Sequence, residues 1–210
     1  MKYEVLNHSC IRLEGSKTIY IDPYEIKNEP HDADFVFVTH NHTTHFSPED
    51  IFRVSKPIKL TPDDGFAPDN TIIVTPESVV MLNAVQNIVL QPGDAVFAFG
   101  IEIEAVPAYN IEKPHHPREN NWLGYIVSLD GVRYYIAGDT DNTPEARAVK
   151  CDVAFLPIGG ESTCNIAEAA ALAKAISPSI EAVPVFANKT DNSLNACRTF
   201  YAFLNEQHER

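Results

Sequence analysis

Residues 34–50 read Asp34-Phe-Val-Phe-Val-Thr39-His40-Asn41-His42-Thr43-Thr44-His45-Phe46-Ser47-Pro48-Glu49-Asp50. The opening run is short, apolar and β-branched, the pattern of a strand buried on both faces. Ser47 supplies a hydroxyl N-cap, Pro48 occupies the first helical position and Asp50 places an acid at the third, which together mark a helix start. The three histidines are therefore expected in a loop between a strand and a helix. His40 and His42 are two apart, so in an extended segment both imidazoles project to one side and can grip one cation. His45 follows three residues later, giving three of the chain's eight histidines within six positions. Each ring could place a nitrogen about 2.1 Å from a zinc ion. The ordinary alternative is a polar loop, or one core histidine with two solvated neighbours, and the clustering argues against it.

Before this stretch the chain reads as strands at Tyr3 to Leu6, Ile11 to Leu13 and Lys17 to Ile21, the last ended by Asp22-Pro23. After it, strands are expected at Ile72 to Val74, Ile88 to Leu90, Ala95 to Phe99, Ile101 to Val106, Leu123 to Leu129 and Val132 to Ala137. Asp130-Gly131 joins the last two as a hairpin. The pattern then alternates: a strand at Val153 to Leu156, a helix from Ile166 to Ile176 capped by Asn165 with Glu168 three residues on, and a strand at Val183 to Phe186. A final amphipathic helix, from about Ser193 to Glu206, is expected to pack Leu194, Cys197, Tyr201 and Leu204 on the sheet. No repeat or linker divides the chain, so residues 1–210 are read as one α/β domain. A second site-like segment, Gly138-Asp139-Thr140-Asp141, follows an apolar strand and would put a carboxylate at the sheet rim. Standing alone it would read as an Asp-rich turn.

With 210 residues, 44% of them hydrophobic, the chain can bury a core without disulfide or metal staples, so a metal here would be functional. Lys+Arg 16 against Asp+Glu 29 gives a formal charge of -13, which repels phosphate backbones and anionic lipid and tolerates cations. Nucleic acid and membrane are excluded as expected partners, a small-molecule substrate is expected, and a homo-oligomer is left open. Cys10, Cys151, Cys164 and Cys197 form no C-x-x-C pair, and no signal peptide is read at the start, so a cytoplasmic protein with free thiols is expected.

In order and spacing these segments resemble the metallo-β-lactamase superfamily, and in particular its metal-dependent hydrolases of the L-ascorbate 6-phosphate lactonase type. The segments that carry the likeness are Leu6-Asn-His-Ser9, Ile19-Tyr-Ile-Asp-Pro23, Val38 to Asp50, Val106-Pro-Ala-Tyr-Asn110, Ala137-Gly-Asp-Thr-Asp141 and Leu156-Pro-Ile-Gly-Gly160. The resemblance implies a four-layer αββα sandwich with a metal site. It assigns His40, His42 and His45 to the histidine positions of the H-x-H-x-D-H motif, and Asp139 to the bridging aspartate. It also marks departures. Thr44 stands in the aspartate slot, Asn110 in that of a later histidine, and Phe186 in that of the final histidine. The site implied is degenerate, holding zinc or another first-row divalent metal, one ion rather than two.

His40, His42 and Asp139 would hold that ion, with Asn110 or a histidine of the Lys113-Pro-His115-His116-Pro-Arg118 segment as a fourth group. His45 would bind a second, weaker ion or stabilise a developing oxyanion, so Asp139 and His45 are the expected catalytic residues. His8 is given a structural role, and Trp122 a core one. Lys113 and Arg118 could meet a substrate phosphate or carboxylate, though a basic pair in a loop is usually solvated. The resemblance implies a metal-dependent hydrolase that turns a metal-bound hydroxide on an ester, lactone or phosphoester. The rival expectation is a catalytically impaired pseudoenzyme that keeps the fold as a metal- or ligand-binding module. A superfamily nuclease is set aside on charge.

Overall fold

The structure, a computed structural model, describes residues 2–63, 67, 69–79, 86–185 and 192–206, the side chains of 192 and 193 excepted. The chain divides into two compact units, Met1–Gln91 and Pro92–Arg210.

The first unit carries β1 (Lys2–Asn7), β2 (Cys10–Glu14), β3 (Thr18–Ile21), β4 (Phe35–Phe37), α1 (Pro48–Val54), β5 (Ile72–Pro76) and β6 (Gln86–Leu90). Its six-stranded sheet follows sequence order from β1 to β6. Short turns make β1, β2 and β3 antiparallel, and longer returns make β3 to β6 parallel. Every side chain of β4 is buried, as a parallel strand covered on both faces requires. Helix α1 starts where the capping residues place it: the Asp50 amide donates to Ser47 Oγ at 3.3 Å and Pro48 fills the first turn. Ile51 and Val54 of that helix seal Val36, Val38 and Ile73 into one core. The Asp50 carboxylate accepts the amides of Glu25 (2.8 Å) and Ile26 (2.9 Å), which pins the long loop between β3 and β4 beneath the helix.

The second unit carries β7 (Ala95–Ala98), β8 (Ile101–Pro107), β9 (Leu123–Leu129), β10 (Val132–Ile136), α2 (Pro144–Arg147), β11 (Val153–Pro157), α3 (Ile166–Ile176), β12 (Glu181–Val185) and α4 (Asn192–Asn205). Its sheet runs β12-β11-β10-β9-β8-β7, antiparallel from β7 to β10 and parallel from β10 to β12. The β9–β10 turn has Asp130 at φ 51° and Gly131 at φ 78°, the doubly left-handed pair that an Asp-Gly hairpin supplies at low cost. Asn165 and Glu168 form a reciprocal capping box on α3, and Ser177 ends it with a positive φ ahead of Pro178.

The terminal helix forms at the expected place, and of its expected face Cys197 and Leu204 pack inward while Leu194 and Tyr201 do not. Phe200 is fully buried, and Ala196, Cys197, Phe203 and Leu204 pack, partly buried, against the same core, whereas Leu194 is 71% exposed and Tyr201 36%. The helix packs against α3, and the large Phe200 ring sets its rotation about the axis. Phe186, expected to end the last strand, lies outside the described residues.

At Gly124 a Cβ would stand 2.7 Å from the carbonyl oxygens of Ile136 and Ala137, so β9 passes over the end of β10 only without a side chain. Gly124→Ala is expected to destabilise the fold by about 1–3 kcal/mol, the usual cost of overpacking. Thermal unfolding checks this, and an unchanged midpoint would contradict the close approach.

All four cysteines are free. Burial pushes the Cys10 thiol up to about 12 and that of Cys151 to about 11, and it raises Cys164 and Cys197 as well. Native protein treated with iodoacetamide at pH 8 is expected to leave the fully buried Cys10 and Cys164 unlabelled by mass spectrometry, while denatured protein labels at every cysteine. Native labelling at Cys10 would refute this.

Candidate metal centre

In the first unit the sheet register builds one cluster. Ile21 of β3 pairs with Phe37 of β4, and the Asp22 amide continues the ladder onto the Phe37 carbonyl at 2.8 Å. Asp22 has φ 47°, a left-handed conformation that Asp tolerates better than most residues, and its side chain is fully buried. Its carboxylate accepts three hydrogen bonds: from the Thr39 amide (2.8 Å), from Thr39 Oγ1 (2.7 Å) and from His45 Nδ1 (2.7 Å).

These bonds fix two tautomers. A carboxylate only accepts, so the His45 Nδ1 contact needs the proton on that nitrogen. The Thr39 hydroxyl spends its single proton on Asp22, so its 2.9 Å contact with His40 Nδ1 needs the proton from the ring. In both imidazoles Nε2 then carries the lone pair, the form in which histidine binds a metal. The rings of His40 and His45 lie 4.0 Å apart between centroids, and those of His40 and His42 4.8 Å. His40 and His45 are buried and His42 is exposed. This donor chemistry fits a divalent ion.

His8, half-buried with a positive φ, sets its ring edge-on to His45 at 5.7 Å and to Tyr24 at 6.1 Å. Thr44 is half-buried in the same turn.

In the second unit Asp139 follows β10 and is buried, as is His116, whose Nε2 lies 3.4 Å from Asp139 Oδ2. The His116 ring stands edge-on to buried Trp122, with centroids 4.7 Å apart. His115, one position earlier, is exposed. Neither histidine belongs to a periodic element that would distinguish them in the sequence, and burial separates them.

Asn110 braces this loop. Its amide donates to the His116 carbonyl (2.7 Å), and its Oδ1 accepts the His116 amide (3.1 Å). Its Nδ2 donates to Asp141 Oδ1 (3.1 Å) and to the Ser162 carbonyl (2.9 Å). The side-chain amide is engaged by two backbone groups and by the Asp141 carboxylate.

The expectation that Lys113 and Arg118 are merely solvated needs correction at Lys113. Its ammonium contacts Asp141 Oδ1 (2.6 Å), the Thr163 carbonyl (2.6 Å) and Glu168 Oε2 (3.2 Å), and the side chain is only 23% exposed. Burial alone would lower its pKa, but Asp141 and Glu168 outweigh that and hold it above the usual lysine range. Arg118 lies over the Tyr109 ring at 4.8 Å and pairs with Glu145 at 2.6 Å. A cleft of about 590 Å³ along the same loop is lined by Tyr109, Ile111, Lys113, Pro117, Arg118 and Pro144, among others.

Residues 3–185 match the family described as a β-lactamase superfamily domain. The chain belongs to this superfamily. It is 29% identical over 195 residues to a metal-dependent hydrolase of Thermoplasma acidophilum, covering 88% of this chain and 82% of that protein. A crystal structure from Parabacteroides distasonis, described as a candidate metal-dependent hydrolase, matches with a TM-score of 0.73 at 28% identity, over 96% of this chain and 86% of the other. A metallo hydrolase from Ignicoccus hospitalis shares the fold, with a TM-score of 0.70 at 22% identity, over 96% and 89% of the two chains. The α/β architecture is that of the metallo-β-lactamase fold. Among the described residues no helix of this superfamily member is long and apolar enough to cross a membrane.

Sequence reading used Asp22 only as a strand end and as part of a motif. Its position immediately after β3, which pairs with the strand leading into the histidine loop, was the available signal. Asp22→Asn removes the acceptor charge that orients both rings, so it is expected to weaken zinc binding roughly 10–100-fold, the usual cost of losing such a partner. Competition against a chromophoric chelator measures this, and wild-type affinity in the variant would refute the role.

Proposed function

We propose that this chain is a metal-dependent hydrolase acting on an ester, lactone or phosphoester of a small molecule, a substrate class akin to that of the L-ascorbate 6-phosphate lactonase type. The observation that carries the reading is the Asp22–Thr39 network, which sets the tautomers of His40 and His45 for metal ligation. The metal-dependent hydrolases among the relatives support it.

His40 and His42 of the first unit, and His116 and Asp139 of the second, are each proposed as metal donors, for zinc or another first-row divalent ion. Such an ion, when bound, supplies Lewis acidity that polarises the scissile group and acidifies water. Asp139 is the carboxylate proposed to orient the attacking water and take its proton, a duty that Thr44 cannot share because a hydroxyl is no base at neutral pH. His45, with Nδ1–H committed to Asp22, offers a lone pair at Nε2. That favours a ligand role over an oxyanion donor, which would need the ring to be protonated. The substrate is proposed to meet the protein in the cytoplasm, in keeping with the free thiols.

Elemental mass spectrometry of purified protein tests the reading. About one equivalent of metal is expected in wild type, and little in the variant carrying His40→Ala with His42→Ala. A screen of esters, lactones and phosphodiesters on the loaded wild type should then find turnover that the variant lacks. Wild type that takes up no metal after supplementation would overturn the proposal and leave the fold as a binding module.

A further inference from the structure

His116 is held in a stretch without strand or helix, so no backbone ladder sets its ring. Its hold comes from polar groups that can be followed one by one. Asn110 closes the loop on His116 by exchanging two hydrogen bonds with its backbone. Asp141, two residues beyond Asp139, grips Asn110 through Oδ1 and takes the Ile111 amide on Oδ2 at 2.9 Å. Asp141 is 6% exposed, and a carboxylate so buried needs a counter-charge. Lys113 supplies it, and the three protons of its ammonium meet three acceptors: Asp141, the Thr163 carbonyl and Glu168. Glu168 also accepts the Asn165 amide at 2.8 Å, so the same ammonium ties the loop to the capped start of α3.

We propose that Lys113 is a positioning residue that sets His116 for metal binding, acting through Asp141 and Asn110. This rests on the reading of His116 as a donor. Without the ammonium, Asp141 keeps a buried charge that must be relieved by moving toward solvent, and Asn110 and His116 move with it. Arg118, at the far end of the same loop, is a contrast: its side chain is 64% exposed and its pair with Glu145 is of the surface kind.

The test compares full-length wild type, Lys113→Met, Lys113→Arg, His116→Ala and Arg118→Gln. Zinc affinity is read by chelator competition, ligand geometry by the visible spectrum of the cobalt(II)-loaded protein, and integrity by thermal unfolding of metal-free protein. His116→Ala is expected to lose affinity. Lys113→Met should bind zinc roughly 10–100-fold more weakly with a cobalt band displaced toward that of His116→Ala. Lys113→Arg, which keeps the charge, should recover most of the affinity, and Arg118→Gln should match wild type.

Wild-type affinity and spectrum in Lys113→Met, with His116→Ala impaired, would overturn the positioning role and leave the donor reading standing. Wild-type affinity in His116→Ala would overturn the donor reading, and this proposal with it. If Lys113→Met does not fold, Lys113→Gln, which keeps a donor without the charge, carries the same comparison.

Discussion

The donor set of the first unit depends on the buried carboxylate of Asp22. A carboxylate withdrawn from water must be saturated with donors, and here one backbone amide, one hydroxyl and one imidazole do it. Each of those bonds constrains something further along. The amide bond holds the end of β4 beside the end of β3. The hydroxyl bond makes Thr39 an acceptor toward His40, and the imidazole bond sets His45. One group that need not touch a metal thus decides which nitrogen two histidines offer.

The second unit solves the same problem by other means. Asp139 stands just after a central strand, where the sheet itself provides rigidity. His116 has no such support, and its loop is closed by Asn110, gripped by Asp141 and neutralised by Lys113. Asn110 is therefore employed in holding the loop that carries His116.

Most elements were legible in the sequence because they rest on local chemistry. Ser47-Pro48 and the Asn165–Glu168 box start helices through bonds made within one turn, and Asp130-Gly131 closes a hairpin through its own backbone preference. The rotation of α4 was legible only in part. Its apolar residues allow more than one face, and the choice fell to Phe200, whose seat against α3 belongs to residues distant in sequence. The cluster of His40, His42 and His45 was legible as a cluster because it spans six positions.

The sequence by itself determined the order of the strands and of helices α1, α3 and α4, the clustering of three histidines in one loop and the place of Asp139 just after an apolar strand, since spacing, capping and residue type act over a few positions. Only the tertiary structure decided that Asp22 orients the histidines, that His116 rather than His115 is buried beside Asp139, and that Lys113 is enclosed by acceptors. Those outcomes depend on strand register and burial, which bring together groups 17 to 55 positions apart. No local pattern records such distances.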